Sequence, residues 1–455
     1  MPVDSKQTGD QLIGLLLNVP LSRTVEQTSE LVKRWYILER GCMRAMAGWL
    51  PGIESQEIKL LLARHIWMDA TAAGELRQRI LQLRYPRRDV DRNWDAVVNE
   101  FTLSVGNAPD DLCFVAGIYR VLKKAAAGAY QQAIGQCERV GDSPTCWLLE
   151  QLLNKTRREL DEMLPLLKSA ETRSQAGENR REQWTEYLGV VLAAIGGVNA
   201  AAEQKDMPVD RSLEKPFQRT MSAARDPRYR KRCELMTHHP MFWEADNPGL
   251  RWLSYAVGHM NEMWAAETAA ALIYDHSDAP WELLLDAARW CYDEARHTQM
   301  GLTRLQRAGF DIYHDLPAPE AVTFDCYEPD HLFERMLSIH CFERGGVIER
   351  TKQAAMKWHR QAGDQEGGHH YDFDWADESI HLQYGLEWMK HLYGEQILDA
   401  DFDRRLNEAV EYRHQFLKEL APVEERRVEQ HFRELCERIN VPFKVKAVEN
   451  FKGRE

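Results

Sequence analysis

The sequence predicts an all-α protein, and three observations carry that expectation. Apolar residues recur at the helical period along most of the 455 residues, and convincing alternating strands are absent. Two stretches, about 24–168 and about 250–395, share one order of elements: helix, short Pro-containing turn, helix, longer connection, helix, loop, helix. The frame Asp-Glu-x-x-His occurs twice in the second stretch, as Asp293-Glu294-Ala295-Arg296-His297 and as Asp377-Glu378-Ser379-Ile380-His381.

The elements divide the chain into four parts. Residues 24–168 form a helical block. Residues 169–249 hold a long apolar helix near 182–203 and a connector rich in Pro and Arg. Residues 250–395 form a second four-helix block. Residues 396–455 form a charged helical extension, expected to break at Pro422 and to pack on the bundles or on a second subunit, which suits a homodimer. Setting Asp111-Leu112 against His331-Leu332 puts Lys123 where the second block has Glu343. Setting Trp147 against Trp375 puts Glu150 at Glu378 and Leu153 at His381. On this reading the N-terminal block is a degenerate copy, with Lys123 supplying a charge in place of a lost cation.

Composition narrows the function classes. Charged residues make up 28% and hydrophobic ones 44%, ordinary for a globular protein. A net charge of −13 argues against a phosphate backbone as partner. The basic run Arg225–Arg232 is expected to be a solvated linker. No basic region precedes an apolar core at the N-terminus, and the longest apolar run, Gly189–Ala202, is interrupted and too short for a bilayer, so a cytoplasmic protein is expected. The nine cysteines include no C-x-x-C pair, which speaks against a zinc ribbon or a thiolate iron site.

Glu and His at i and i+3 project from one helical face, so each motif offers a carboxylate and an imidazole to one point. Two such helices and one Glu from each of two others make a carboxylate-bridged dimetal site. Asp293 and Asp377 would then orient the ligating imidazoles.

The two further carboxylates are chosen on geometry and burial. Across the turn His276–Pro280, Glu262 and Glu294 stand equally far from the ends, whereas Glu267 is off by about 7 Å at the helical rise. Glu262 is favoured and Glu267 is the second choice. On the third helix, Met336, Ile339, His340 and Val347 put Glu343 on an apolar stripe. Gly345, Gly346, Lys352 and Gln353 suggest that Glu349 faces solvent, although loop symmetry mildly prefers it. Other candidates have ordinary readings: His340 as a buried histidine, His238-His239 and His369-His370 as loop residues, and Tyr274, Tyr371 and Tyr384 as aromatic packing.

The segments HMNE…DEARH and FERGG…DESIH resemble the ferritin-like di-iron carboxylate superfamily, closest to the branch with the tRNA isopentenyladenosine hydroxylase and its relatives. The resemblance covers about residues 250–395. It implies a ferritin-like four-helix bundle whose six metal ligands are Glu262, Glu294, His297, Glu343, Glu378 and His381. The Gly345-Gly346 pair and a long loop expected from Gly363 to Phe373 depart from that pattern, so the substrate does not carry over.

Two Fe ions with such ligands (Mn/Fe and Mn/Mn share the ligand types) use O2 as co-substrate. The leading expectation is an O2-dependent oxidoreductase acting on a small organic, nitrogen-containing substrate such as an amine, hydroxylamine or hydrazine. Electrons would come from a separate donor or from the substrate. The competing expectations are a tRNA-modifying hydroxylase and a non-catalytic scaffold with a structural metal site.

Overall fold

A computed structural model describes residues 23–92, 95–174, 177–199, 210–237, 247–325, 347–394 and 400–442. Among these residues the protein is all-helical, without a β-strand. No described helix is long and apolar enough to cross a membrane.

The first block opens with α1 (Val25–Trp49), which starts in a capping box. The Thr24 side chain accepts from the Gln27 amide, and the Gln27 side chain accepts from the Thr24 amide. A turn at Leu50–Gly52 leads into α2 (Gln56–Gln82), and α3 (Ala96–Gly106) follows. Next come α4 (Asp111–Ala116), a π-helical segment (Gly117–Leu122) and α5 (Lys123–Gly135), run end to end. The long α6 (Ser143–Arg173) packs on α2 and α5 and closes the bundle.

Helix α7 (Glu178–Ala194) buries Trp184, Leu188 and Val191 on one side only. It ends earlier than the expected 203, because Gly196 and Gly197 both take positive φ and terminate it. The connector is not merely solvated, contrary to expectation. Arg225 is buried, bonding both oxygens of Glu267, and Arg228 pairs with Asp226 and Glu57. Glu267 also receives Lys59 Nζ at 2.6 Å, so this ion cluster ties the two blocks together.

The second block contains α8 (Pro248–Met260), α9 (Met263–Asp275), α10 (Trp281–Arg307), α11 (Val347–Gln361) and α12 (Gln365–Tyr393). Helices α8 and α9 are one line interrupted at Asn261-Glu262, and both pack on α10. Gly301 lies one turn beyond His297, where a Cβ would run into the backbone of Ala256 and Met260. Its missing side chain lets α8 rest directly on α10.

The loop expected over Gly363–Phe373 is instead the first part of α12. The Asp364 side chain caps it by accepting from the Gly367 amide, and His369 and His370 are helical. Finally, α13 (Ala400–Arg438) runs through Pro422 without the expected break. It buries Leu417, Val428, Phe432, Leu435 and Cys436 against α8, the end of α10 and residues 233–236.

Candidate metal centre

The packing of α10 and α12, with the break between α8 and α9, gathers the motif residues into one buried cluster. His297 Nδ1 lies 3.0 Å from Glu262 Oε2 and 3.5 Å from Glu294 Oε2. His381 Nδ1 lies 3.3 Å from Glu294 Oε1 and 3.5 Å from Glu378 Oε2. Glu294 therefore turns one oxygen toward each imidazole, a posture suited to bridging two cations. Glu262, Glu294, His297 and Glu378 offer ligand atoms that all lie within 4.8 Å of one another.

The far side of each imidazole is fixed by the other motif. His297 Nε2 meets Asp377 Oδ2 at 3.1 Å, and His381 Nε2 meets Asp293 Oδ2 at 3.4 Å. With Nε2–H donating outward, each Nδ1 lone pair points into the cluster. Arg289 and Arg296 neutralise the two aspartates from outside, Arg289 Nε reaching the Asp293 oxygens at 2.7 and 2.8 Å. Burial would raise the Asp293 carboxyl, but bonds from His381 and Arg289 bring it down to about 2.

Among the described residues, Glu262 Oε2, His297 Nδ1, Asp374 Oδ1 and His381 Nδ1 are buried and make no well-oriented hydrogen bond, although the two imidazoles lie within ion-pair distance of the carboxylates. They converge on one region and are all metal-ligand atoms, so a bound cation would satisfy them together. The donor set therefore fits divalent metal. In its absence, burial alone would depress the two imidazoles, but the surrounding carboxylates outweigh it and hold both well above the ordinary histidine range. Burial opposes ionisation of Glu294 as well, and the two histidines override it and pull that carboxyl down. Glu378 is pushed up by burial and by Glu294.

Three participants were not legible as such. Asp374 is fully buried, one turn before Glu378 on α12, and faces the same cluster. Its spacing of four residues from Glu378 was the available signal, hidden by the loop expected just before it. Lys352 is also buried, with Nζ 2.6 Å from Glu262 Oε1, 2.8 Å from Asp374 Oδ2 and 3.6 Å from Glu378 Oε1. Finally, His259 stands behind Asp374. Arg304, which can only donate, reaches its Nδ1 at 2.6 Å, so Nε2–H donates to Asp374 at 2.7 Å. Tyr371 stacks on this imidazole at 4.0 Å between ring centroids.

The buried Lys352 corrects the expectation that its face of α11 meets solvent. Position 349 lies three residues earlier on the same helix. The observed turn between α11 and α12 is short. Lys352 lies nine residues before the end of α11, level with Asp374, nine residues after the start of α12. By the same count, position 349, twelve residues before the end of α11, stands within one residue of the level of Glu378, thirteen after the start of α12. Glu343 and His340 lie outside the described residues, as do His238 and His239. Glu267 is not in the cluster, being held by Lys59 and Arg225. Tyr274 packs on Phe217 and under Arg44, away from it.

The first block has a charged core of its own. Lys123 Nζ bonds Asp69 and, at 2.7 Å, Glu159, with Glu39 at 3.8 Å. Lys155 Nζ bonds Asp69 at 2.6 Å and Glu39 at 2.7 Å. Each of α1, α2, α5 and α6 contributes, and the three carboxylates face two ammonium groups. The expected equivalence of Glu150 with Glu378 fails: Glu150 points outward near Arg139, and Trp147 is exposed. Glu159 is the carboxylate that α6 turns inward.

In comparisons with known proteins, no protein-family model, curated protein or solved structure matches the chain.

Proposed function

We propose that the second block is a ferritin-like dimetal bundle and that the protein is an O2-dependent non-haem oxidoreductase acting on a small organic substrate. The observation that carries this reading is the convergence, among the described residues, of four buried ligand atoms that make no well-oriented hydrogen bond, from α8–α9, α10 and α12. Glu262 and His297 would hold one ion, Glu378 and His381 the other, and Glu294 would span them. Asp374 would add a further carboxylate to the first of these sites. The third helix would supply the last ligand, and the register across the short turn supports Glu349 over Glu343.

Two bound Fe(II) ions would supply the reduction of O2. The chain's own residues do the rest. Asp293 and Asp377 keep the imidazoles in the ligating tautomer. Lys352 offsets one of the four inner carboxylates, Glu262, Glu294, Asp374 and Glu378. Trp290 donates to Glu294 Oε1 at 3.0 Å, and Tyr371 stacks on His259 behind the cluster. The Lys123 cluster supports the further reading that the first block is a degenerate copy in which ammonium groups stand where metals once stood.

The test is O2 uptake by iron-loaded protein on adding a chemical reductant. Consumption that exceeds the rate of free iron, and is lost in Glu294→Ala, is expected. Iron bound stoichiometrically without O2 uptake would overturn the oxidoreductase and leave a structural metal site.

A further inference from the structure

A pocket opens beside His381, lined by Leu272 of α9, Leu283, Asp286, Ala287 and Trp290 of α10, and Tyr384, Gly385 and Trp388 of α12. It is a partly open cleft whose empty space, including the part that is open solvent, is about 290 Å³, so a ligand would have to lie partly in the open mouth. Two indoles, a phenol and aliphatic side chains make the lining almost wholly apolar. Trp290 and His381 are shared with the cluster, so the pocket's inner end is the wall of the proposed metal centre.

Asp286 is the exception to the apolar lining. It is half-buried and accepts from Trp388 Nε1 at 2.6 Å on Oδ2. Among the described residues no cationic side chain pairs with it, although Asp293 and Asp377 nearby each have arginine partners. Burial pushes its carboxyl up, and Glu387 and Glu282 add to the effect. A carboxylate kept in an apolar site without a counter-charge is costly unless a ligand supplies one. A carboxylate in a cleft lined by aromatic side chains is also the chemistry that recognises an organic ammonium, through an ion pair and cation–π attraction.

We infer that this pocket binds a small organic amine, its ammonium on Asp286 and its hydrocarbon body between Trp290, Tyr384 and Trp388, as the substrate of the adjacent centre. The role as substrate rests on the dimetal reading; the binding of the amine does not. An alcohol of the same shape lacks the charge, and a carboxylate of the same shape is repelled by Asp286, Glu282 and Glu387.

The experiment is calorimetric titration of the full chain, metal-free and iron-loaded, with 2-phenylethylamine, hexylamine and 2-phenylethanol as probes. At least one amine is expected to bind at least about tenfold more tightly than the alcohol. Asp286→Asn, which keeps the shape and the acceptor for Trp388, should erase that preference. Ala287→Phe, which fills the pocket, should abolish binding of both kinds. Equal binding of amine and alcohol, undiminished amine binding by Asp286→Asn, or no binding of either amine would overturn the inference. Iron content on the same samples separates the two claims. Amine binding without iron uptake sinks the metal centre and keeps the pocket, and iron uptake without amine binding does the reverse.

Discussion

His297 Nε2 lies 3.1 Å from Asp377, and His381 Nε2 lies 3.4 Å from Asp293, so each motif's aspartate holds the other motif's imidazole. The pairing crosses between α10 and α12, which makes the repeated Asp-Glu-x-x-His frame one reciprocal unit. Removing a carboxylate behind a ligating imidazole typically costs about 10–100-fold in metal affinity. Asp377→Ala is expected to weaken iron binding by about that factor, read by competition with a chelator. Unchanged affinity would mean that the cross-bracing does not serve a metal.

Lys352 competes with any cation for Glu262 and Asp374, which its ammonium contacts at 2.6 and 2.8 Å. Lys352→Met removes that counter-charge from a buried acidic cluster. The metal-free protein should melt at a lower temperature than wild type, and added Fe(II) or Mn(II) should raise its melting temperature by more than it raises the wild type's. An equal shift in both proteins would contradict this.

Lys123 is fully buried between Asp69 and Glu159. Breaking a buried pair by removing one partner leaves uncompensated charge and costs about 3–5 kcal/mol. Lys123→Met should therefore destabilise the first block by about that amount in denaturant unfolding. Stability within experimental error of wild type would show that the cluster is not a closed charge network.

Buried neutral histidines make the fold acid-sensitive. Burial, followed by the nearby Lys123, lowers His65 from 6.5 to about 3, and burial with Arg304 lowers His359 to about 4. A depressed imidazole contributes stability that is complete above its unfolded value and is lost as pH falls toward the folded one. For His65 the loss between pH 6.5 and 5 amounts to roughly 2 kcal/mol. The melting temperature should fall across that window, and His65→Gln should flatten the slope. A slope unaffected by that substitution would place the acid sensitivity elsewhere.

The all-helical fold was legible because helical periodicity and the two motifs agree along most of the chain. The motif residues were legible too, since i, i+3 spacing needs no tertiary knowledge to put Glu and His on one face. The third helix was not. Gly367-Gly368 followed by His369-His370 reads as loop, whereas the Asp364 cap and the first-turn position make two glycines tolerable in α12. Reading a loop there moves the turn, hides Asp374 and displaces the register that brings position 349 within one residue of the level of Glu378. Local charge patterning makes Arg225 look solvated, because it says nothing about Glu267, a partner 42 residues away. Pro422 was read as a break, but its exposed position in α13, between buried Leu417 and Val428, lets packing hold both halves in line.

The most direct test of the central claim is iron per chain after anaerobic loading with Fe(II) and desalting. About two irons are expected in the wild type, falling sharply in Glu294→Ala and Glu378→Ala. A fall is also expected in Glu349→Ala and not in Glu343→Ala. Iron near zero, or iron unchanged by Glu294→Ala and Glu378→Ala alike, would contradict a dimetal centre built on these residues.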